Sequence, residues 1–232
     1  MSYPRTHARA LYALKIAERL ARARPNAIVE LDYQTPFQLL IATLLSAQCT
    51  DVRVNQITPG LFHRYPTPAS LKSANVAELE MQIYSTGFYR EKAARLIQCA
   101  AILDEDFGGE VPRTLADLTR LPGVGRKTAN VLMGCLFGAD AIVVDTHVIR
   151  LAQRLHLTRS DRPDRIEADL AALLPQSMWT ETSRRLVLHG RYVCIARSPR
   201  CLDCPLFDLC PDEAHKQKAV LASAPAKAGR HR

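Results

Sequence analysis

The reactive side chain in the most unusual position is that of Lys127, which follows a turn signal near the middle of the chain. Pro122, Gly123 and Gly125 predict that turn, because both glycines can take positive φ without a Cβ clash. Apolar residues then recur at three- and four-residue spacing, so a helix should begin there. Its first turn carries Arg126, Lys127 and Thr128. Unpaired N–H groups and the dipole at a helix start favour an anion, and a phosphate is the natural ligand.

A lysine at a helix start allows two interpretations. A cation there opposes the helix dipole by a few tenths to ~1 kcal/mol when it is exposed. In the first interpretation, Lys127 swings out and only contacts a phosphate. In the second, it stays uncharged beside Arg126 and acts as a nucleophile. The residues around Lys127 leave both roles open.

Asp145 is the second candidate for chemistry. It follows three apolar residues and precedes another helical pattern, which is typical of a helix N-cap that accepts N–H bonds from the first turn. The capping role does not exclude a chemical one. A carboxylate that is held rigidly and partly buried can also stabilise positive charge or relay a proton.

Four of the seven cysteines indicate a metal site near the C-terminus. They are Cys194, Cys201, Cys204 and Cys210, separated by six, two and five residues. Four soft ligands favour zinc or an iron–sulfur cluster, and the spacing alone does not choose between them. Four cysteine ligands leave no open coordination position, so the metal should be structural. The N-terminal segment lacks the apolar stretch of a secretory signal, which argues against disulfides, and Cys49, Cys99 and Cys135 are expected to be core thiols.

The composition sets the class of protein. The 232 residues are 47% hydrophobic and 23% charged, as in an ordinary globular protein. No apolar run approaches the ~20 residues of a membrane span, so we expect a protein of the cytosol or the nucleoid and no membrane partner. The net charge of +8 suits a nucleic-acid partner but is weak support by itself.

The apolar periodicity predicts about ten helices and no convincing sheet, so the expected fold class is all-α. The predicted helices cover 5–24, a segment from Pro36, a segment from Asp51 that ends at Pro59 or Pro66, short helices within 68–84, then 90–107, a segment after Asp145, 163–174 and 178–193. In the first helix, the expected buried face is Leu11, Leu14, Ala17 and Ala21. The β-branched residues 142–144 are expected to form a buried connector, because no partner strand is near.

Taken together, these motifs resemble the endonuclease III family of helix-hairpin-helix DNA glycosylases. The matching segments are Ser46 to Asp51, Gly87 to Lys92, Leu121 to Asn130, Val144 to His147 and the C-terminal cysteines, in the family's order over about residues 28 to 212. The resemblance implies a helical barrel-like domain with the hairpin over 28–139. It also implies an iron–sulfur cluster domain from 1–27 and 140–212, with the active site in the cleft. The basic tail, 213–232, is expected to be disordered.

The resemblance also implies an activity, that of a bifunctional DNA glycosylase and AP lyase that removes oxidised pyrimidines of the thymine glycol type. The expected partner is duplex DNA with damaged or abasic nucleotides, and the expected state is a monomer. Lys127 would be the Schiff-base nucleophile and Asp145 the catalytic carboxylate, while the four cysteines would hold a [4Fe–4S] cluster. Two alternatives remain: a glycosylase of the same superfamily with mismatch specificity, and a non-enzymatic DNA-binding module.

Ten further residues are expected to contact DNA. Gln48 stands where the family fills the hole left by a flipped base, and Phe88 where it commonly places a leucine wedge. The remaining contacts are Gly123, Gly125, Arg126 and Thr128 at the turn, His147 after Asp145, and Arg191, Arg197 and Arg200 around the cysteines. Phe88 departs from the family pattern, and so does Thr119, where relatives often have an acidic residue.

Overall fold

The computed structural model describes residues 3–223, and this part of the chain is helical throughout. It contains twelve α-helices and three short 3₁₀ helices, and no β-strand occurs among the described residues. The α-helices are α1 Tyr3–Ala23, α2 Pro36–Leu45, α3 Asp51–Arg64, α4 Pro68–Lys72, α5 Val76–Ile83, α6 Tyr89–Phe107, α7 Leu115–Leu118, α8 Arg126–Leu136, α9 Thr146–Arg154, α10 Pro163–Leu173, α11 Trp179–Tyr192 and α12 Glu213–Ser223. The predicted all-α class is confirmed. None of these helices is long and apolar enough to cross a membrane.

The chain divides into two compact units. The central unit is Val29–Ala141. The discontinuous unit joins the N-terminal segment, up to Ile28, to the segment that begins at Ile142. Each unit has its own hydrophobic core.

The central unit is built around α2. This helix is apolar on nearly every side, and α3, α6 and α8 pack around it. Thr35 caps its start by accepting a hydrogen bond from the Gln38 N–H, and Pro36 takes the first helical position, where its missing N–H costs nothing. Leu44 and Leu45 are buried at the C-terminal end of α2, directly before the segment that contains Gln48.

In the discontinuous unit, α1 packs on α10 and α11, but not through the predicted face. The buried residues of α1 are Ala13, Ile16, Ala17 and Leu20. Leu11 is 47% exposed, so its predicted burial is wrong. Both stripes have helical spacing, but the observed one contains Ile16 and Leu20 where the predicted one ends in two alanines. The observed stripe therefore buries more apolar surface along the length of the helix.

Proline does not end α3, contrary to one of the two predicted stops. The helix passes through Pro59 and continues to Arg64. Thr58 and Leu61 are buried on either side of Pro59, so the packed face continues across it. Tertiary burial here outweighs the loss of one helical hydrogen bond.

The predicted disorder of 213–232 is wrong for its first half. Residues Glu213–Ser223 form α12, and Asp212 accepts a hydrogen bond from the His215 N–H at 3.4 Å at its start. The segment contains three alanines and two lysines, which are strong helix formers, and this propensity favours a helix over disorder. The rest of the predicted tail, 224–232, lies outside the described residues.

Candidate active site and metal centre

The glycine turn joins α7 to α8 as a helix-hairpin-helix, with Leu121 and Val124 buried beneath it. The two glycines differ in role. Gly123 has φ +85°, and a Cβ there would approach the Leu44 side chain to 3.1 Å. Gly125 has φ −86°, so the prediction of positive φ holds for only one of the two. Gly125 is instead the N-cap of α8, and because it has no side chain, nothing from that position covers the first N–H groups of the helix.

Lys127 is exposed at this uncapped helix start. It is the second residue of α8, between exposed Arg126 and half-buried Thr128. Ala129 and Leu132 are buried and fix the orientation of the helix on the core of the central unit. Lys127 therefore lies on the side of α8 that is directed away from this core.

Asp145 caps α9, as predicted. Its Oδ1 accepts hydrogen bonds from the backbone N–H groups of His147 and Val148, both at 2.9 Å. Among the described residues, no hydrogen bond reaches its Oδ2. The side chain is half-buried and follows the connector 142–144, which contains no strand, as predicted. Oδ1 thus holds the carboxylate in place, and Oδ2 can face a positively charged group.

His147 is held by a neighbouring arginine. Nη2 of Arg150 lies 3.2 Å from His147 Nδ1 and also donates to the Gly190 carbonyl at 2.7 Å. Since a guanidinium only donates, Nδ1 accepts and the ring proton is on Nε2. Burial lowers the pKa of His147, and the charges of Arg150 and Arg191 lower it further, whereas Asp145 and a hydrogen bond to the Gly190 backbone raise it. The lowered pKa favours the neutral form of His147.

Gln48 and Phe88 share an uncommon backbone conformation. Their φ angles are 55° and 48°, in the left-handed region that residues other than glycine rarely adopt. Both side chains are exposed, and both line one cavity of about 250 Å³ in the central unit. Gly123 and Thr128 line the same cavity. The structure thus brings together four of the residues that the sequence predicted to contact DNA, and strained backbone of this kind is found preferentially at functional sites.

One residue of this cavity was missed by the sequence analysis. Lys92 is 6% exposed, and its Nζ donates to the carbonyl oxygens of Leu45 and Thr86, both at 2.8 Å. A signal was present, because Lys92 continues the apolar stripe of α6 formed by Leu96 and Leu103. A lysine in such a stripe is buried and needs acceptors.

The four predicted metal ligands line a single cavity in the discontinuous unit. Its other walls include Val193, Pro199 and Phe207. Burial raises the pKa of Cys204 to about 11, and repulsion from the other three thiolates adds to the effect. Burial also raises the pKa values of Cys201 and Cys210, and repulsion from Asp212 and from neighbouring thiolates raises them further. Four half-buried thiols that line one cavity are unfavourable as thiolates unless cations neutralise them, so this donor set fits an iron–sulfur cluster.

Two arginines of α9 support the segment 194–210 that carries the four cysteines, here called the cysteine loop. The sequence analysis missed both arginines. Nη1 of Arg154 lies 3.2 Å from Cys194 Sγ, and Nη2 donates to the Ala196 carbonyl at 2.9 Å. Arg150 donates to the Cys194 carbonyl at 3.2 Å. The two arginines are four residues apart on one helix face, but their target is forty or more residues away in sequence. Periodicity therefore identifies the face and not its partner.

The predicted arginine contacts around the cysteines differ in exposure. Arg197 and Arg200 are exposed in the loop between Cys194 and Cys201, and Arg200 pairs with Asp203 at 2.9 Å. Arg191 is half-buried on α11. The two loop arginines are thus the more accessible to a phosphate backbone.

Two protein families match the chain. The family described as HhH-GPD superfamily base excision DNA repair protein matches residues 41–176. The iron-sulfur binding domain of endonuclease III matches residues 194–210, which run from the first of the four cysteines to the last.

Individual relatives match over most of their length. The chain is 50% identical to the endonuclease III of Synechocystis sp. over 200 residues, covering 86% of this chain and 91% of the relative. It is 43% identical to that of Escherichia coli K12 over 197 residues, covering 85% and 93%. A solved structure described as a trapped endonuclease III–DNA covalent intermediate with an estranged adenine matches with a TM-score of 0.86 at 42% identity, covering 90% of this chain and 98% of that one. A thermostable thymine-DNA glycosylase, at 22% identity and a TM-score of 0.75, shares the fold.

Proposed function

Because this chain belongs to the endonuclease III family of base excision DNA glycosylases, we propose that it removes oxidised pyrimidines of the thymine glycol type from duplex DNA. It is a DNA glycosylase with AP lyase activity, and it binds a [4Fe–4S] cluster. We further propose that it acts as a monomer at the chromosome, with Lys127 as the nucleophile and Asp145 as the catalytic carboxylate.

The observation that carries the proposal is the position of Lys127. An exposed amine stands in the first turn of a helix whose N-cap, Gly125, has no side chain. The N–H groups at that start can bind a phosphate of the substrate strand and so place the amine beside the sugar. A glycosylase that only hydrolyses needs a carboxylate and a water, whereas a lyase also needs an amine.

The proposed reaction begins at C1′ of the damaged nucleotide. The bond from C1′ to the base breaks, the base leaves with the electron pair and is protonated, and the sugar becomes oxocarbenium-like. The Asp145 carboxylate stabilises that positive charge, accepts a proton from the Lys127 ammonium and passes it to the departing base. The neutral Nζ then bonds to C1′, a proton passes from Nζ to O4′ as the C1′–O4′ bond breaks, and the opened sugar is left as a protonated Schiff base.

Strand cleavage follows from the Schiff base. The iminium makes the 2′ proton acidic, so its removal and β-elimination break the C3′–O bond and release the 3′ phosphate. A water molecule then hydrolyses the iminium, which frees the lysine and leaves an unsaturated aldehyde on the 5′ side. This sequence requires no redox partner.

The base must leave the stack before C1′ can be reached. Extrusion costs roughly a few kcal/mol, and side chains that fill the vacated space offset part of that cost. We propose that Gln48 bonds the orphaned partner base and that Phe88 stacks against the neighbouring bases. The support is their shared cavity, exposure and left-handed backbone. The turn residues Gly123, Gly125, Arg126 and Thr128 with His147, Arg191, Arg197 and Arg200 would hold the phosphate backbone.

The cluster has a structural part in this proposal. Four cysteine ligands leave it no open coordination position for substrate, so it supplies a rigid, charge-compensated anchor for the loop. Arg197 and Arg200 lie within that loop. The loop then presents these two cations to the DNA.

Borohydride trapping on abasic duplex DNA tests the proposal. The wild-type protein should form a covalent adduct that mass mapping locates at Lys127, and K127Q should form none. An adduct that persists in K127Q would identify another amine as the nucleophile. A wild-type protein that binds the duplex without nicking or trapping would leave only a DNA-binding module. A panel of duplexes with thymine glycol, mismatched thymine or mismatched adenine then tests the substrate class.

A further inference from the structure

Lys92 is a buried cation for which the reaction has no use. Its ammonium donates to two main-chain carbonyls rather than to a carboxylate, so its charge is not neutralised by either acceptor. Burial lowers the pKa of Lys92. Burial of a charged group costs free energy, so we expect the hydrogen bonds of this ammonium to stabilise another part of the fold.

The two acceptors of Lys92 are helix ends. Leu45 is the last residue of α2, and Thr86 is the last residue of the 3₁₀ helix Tyr84–Thr86. Carbonyl groups in the last turn of a helix lack intrahelical partners and carry partial negative charge. One ammonium therefore caps two helices that come from separate parts of the central unit, 41 residues apart in the chain (86 − 45).

The segments after these two helix ends carry Gln48 and Phe88. Gln48 is three residues beyond Leu45, and Phe88 is two residues beyond Thr86. The backbone N–H of Lys92 also donates to the Phe88 carbonyl at 2.9 Å. Lys92 thus holds both segments at once, and it lines the same cavity as their exposed side chains.

From this geometry we infer that Lys92 is a positioning residue for base extrusion: it fixes the separation of Gln48 and Phe88 so that both enter the DNA together. The inference rests on the proposed function, because it concerns the placement of the two side chains, Gln48 and Phe88, that are proposed to enter the DNA. Lys92 does not touch the reacting sugar. It acts through the two left-handed segments that it joins.

The test compares two substrates that differ in their need for insertion. A lesion in duplex DNA must be extruded, and the space it leaves must be filled. An abasic site in single-stranded DNA has no partner base and no stacked duplex neighbours. Single-turnover base release from the first substrate and borohydride trapping on the second therefore separate positioning from chemistry.

Lys92→Met keeps the buried aliphatic stem and removes both hydrogen bonds. We expect it to slow duplex base release by about 30-fold, since a misplacement of ~1 Å can cost on the order of 100-fold. Trapping on single-stranded abasic DNA should change less than about threefold. A 2-aminopurine opposite the lesion should also lose its binding-induced fluorescence change, because the pair no longer reaches the orphaned base.

Lys72→Met is the matched control. Lys72 also pairs with α6, through Asp104 at 2.5 Å, but it lies outside the cavity. Its substitution should leave both rates and the 2-aminopurine signal unchanged. A second variant, K92Q, retains an uncharged amide NH2 group as donor and should fall between Lys92→Met and the wild type.

Three results would overturn the inference. One is a folded Lys92 variant with the wild-type duplex rate, and another is an equal loss on both substrates. The third is failure of both Lys92 variants to fold, which would assign the residue to stability alone. Failure of the proposed function looks different, because the wild type itself would then trap neither substrate.

Discussion

At the scale of single residues, Asp145 shows how one carboxylate can serve the fold and the reaction together. Oδ1 accepts both capping hydrogen bonds of α9. The N-cap fixes the carboxylate at a helix start, where the dipole stabilises its negative charge. The same charge is what an oxocarbenium-like sugar needs. The cap and the proposed catalysis thus depend on different properties of one side chain, namely its acceptor oxygen and its charge.

Substitution of Asp145 should separate these two properties. Asparagine is as good an N-cap as aspartate but is neutral, so D145N should keep its stability and lose base release by roughly 100-fold or more. D145A loses the cap as well as the charge and should be destabilised by ~1 kcal/mol. Thermal melting and single-turnover base release on one lesion duplex provide the two measurements. Equal destabilisation by both variants would mean that the charge, and not the cap, supports the fold.

Much of the site could be predicted from residue types and spacing, and the rest depends on contacts between distant segments. The N-cap at Asp145 and the grouping of the four cysteines follow from local pattern, because a cap and a ligand loop are local structures. Lys92 and Arg154 could not be assigned in this way. Lys92 donates to Leu45, which is 47 residues away in the chain, and Arg154 donates to Cys194, which is 40 residues away. The sequence can indicate that a donor is buried and therefore needs an acceptor, but it does not indicate which distant residue supplies that acceptor.

At the scale of elements, the hairpin depends on two glycines for different physical reasons. Gly123 supplies a positive φ and space beside Leu44, whereas Gly125 supplies the absence of a side chain at an N-cap. The turn signal in the sequence locates the element but treats the glycines alike. Helices with long apolar stripes, such as α6 and α11, were predicted close to their observed ends. The four-residue α7 is too short for any periodicity, and α1 offered two competing stripes.

A capping side chain at position 125 should improve the helix and harm its proposed use. In G125S, the serine hydroxyl can accept an N–H of the first turn, which stabilises α8 by a few tenths of a kcal/mol. The same N–H is then no longer available to bind a phosphate. Affinity for abasic duplex should fall about 2- to 5-fold, from the 0.3–1 kcal/mol of an anion at a helix start.

G125A controls for the added Cβ, which meets nothing within 4 Å. Alanine cannot accept the hydrogen bond, so G125A should bind abasic duplex more tightly than G125S and melt at a lower temperature. Fluorescence anisotropy at fixed salt and thermal melting measure the two quantities. Equal affinity in the two variants would show that the first-turn N–H groups do not bind the DNA.

At the scale of the whole molecule, the cysteine loop closes the discontinuous unit on itself. Helix α1 comes from one end of the chain and the loop from the other. Tyr12 donates to the Leu209 carbonyl at 3.0 Å, and Arg19 pairs with Asp208 at 2.7 Å. Both acceptors lie between Cys204 and Cys210, in the loop that the cluster orders. The Arg19–Asp208 pair is exposed and contributes little alone, so the loop itself must keep these contacts in place.

Removal of iron should therefore loosen the discontinuous unit selectively. Binding of a structural metal contributes directly to folding free energy, because the ligands are not arranged in the unfolded chain. A loss of about 3 kcal/mol would lower the melting temperature by roughly 6–12 °C for a protein of this size. Hydrogen exchange should rise in α1, α9 and α12, while the α2 amides in the core of the central unit keep their protection.

The iron-free state can be reached by oxidation and chelation or by C201S, with loss of visible absorbance as the measure of cluster content. C49S is the control, because Cys49 lies outside the cluster cavity and should leave absorbance and exchange unchanged. Tyr12 and Arg19 lose their fixed acceptors only if the loop between Cys204 and Cys210 becomes mobile without metal. Unchanged protection of α1 in an iron-free protein would therefore show that protein contacts alone order this loop, and that the cluster is bound by a site already formed.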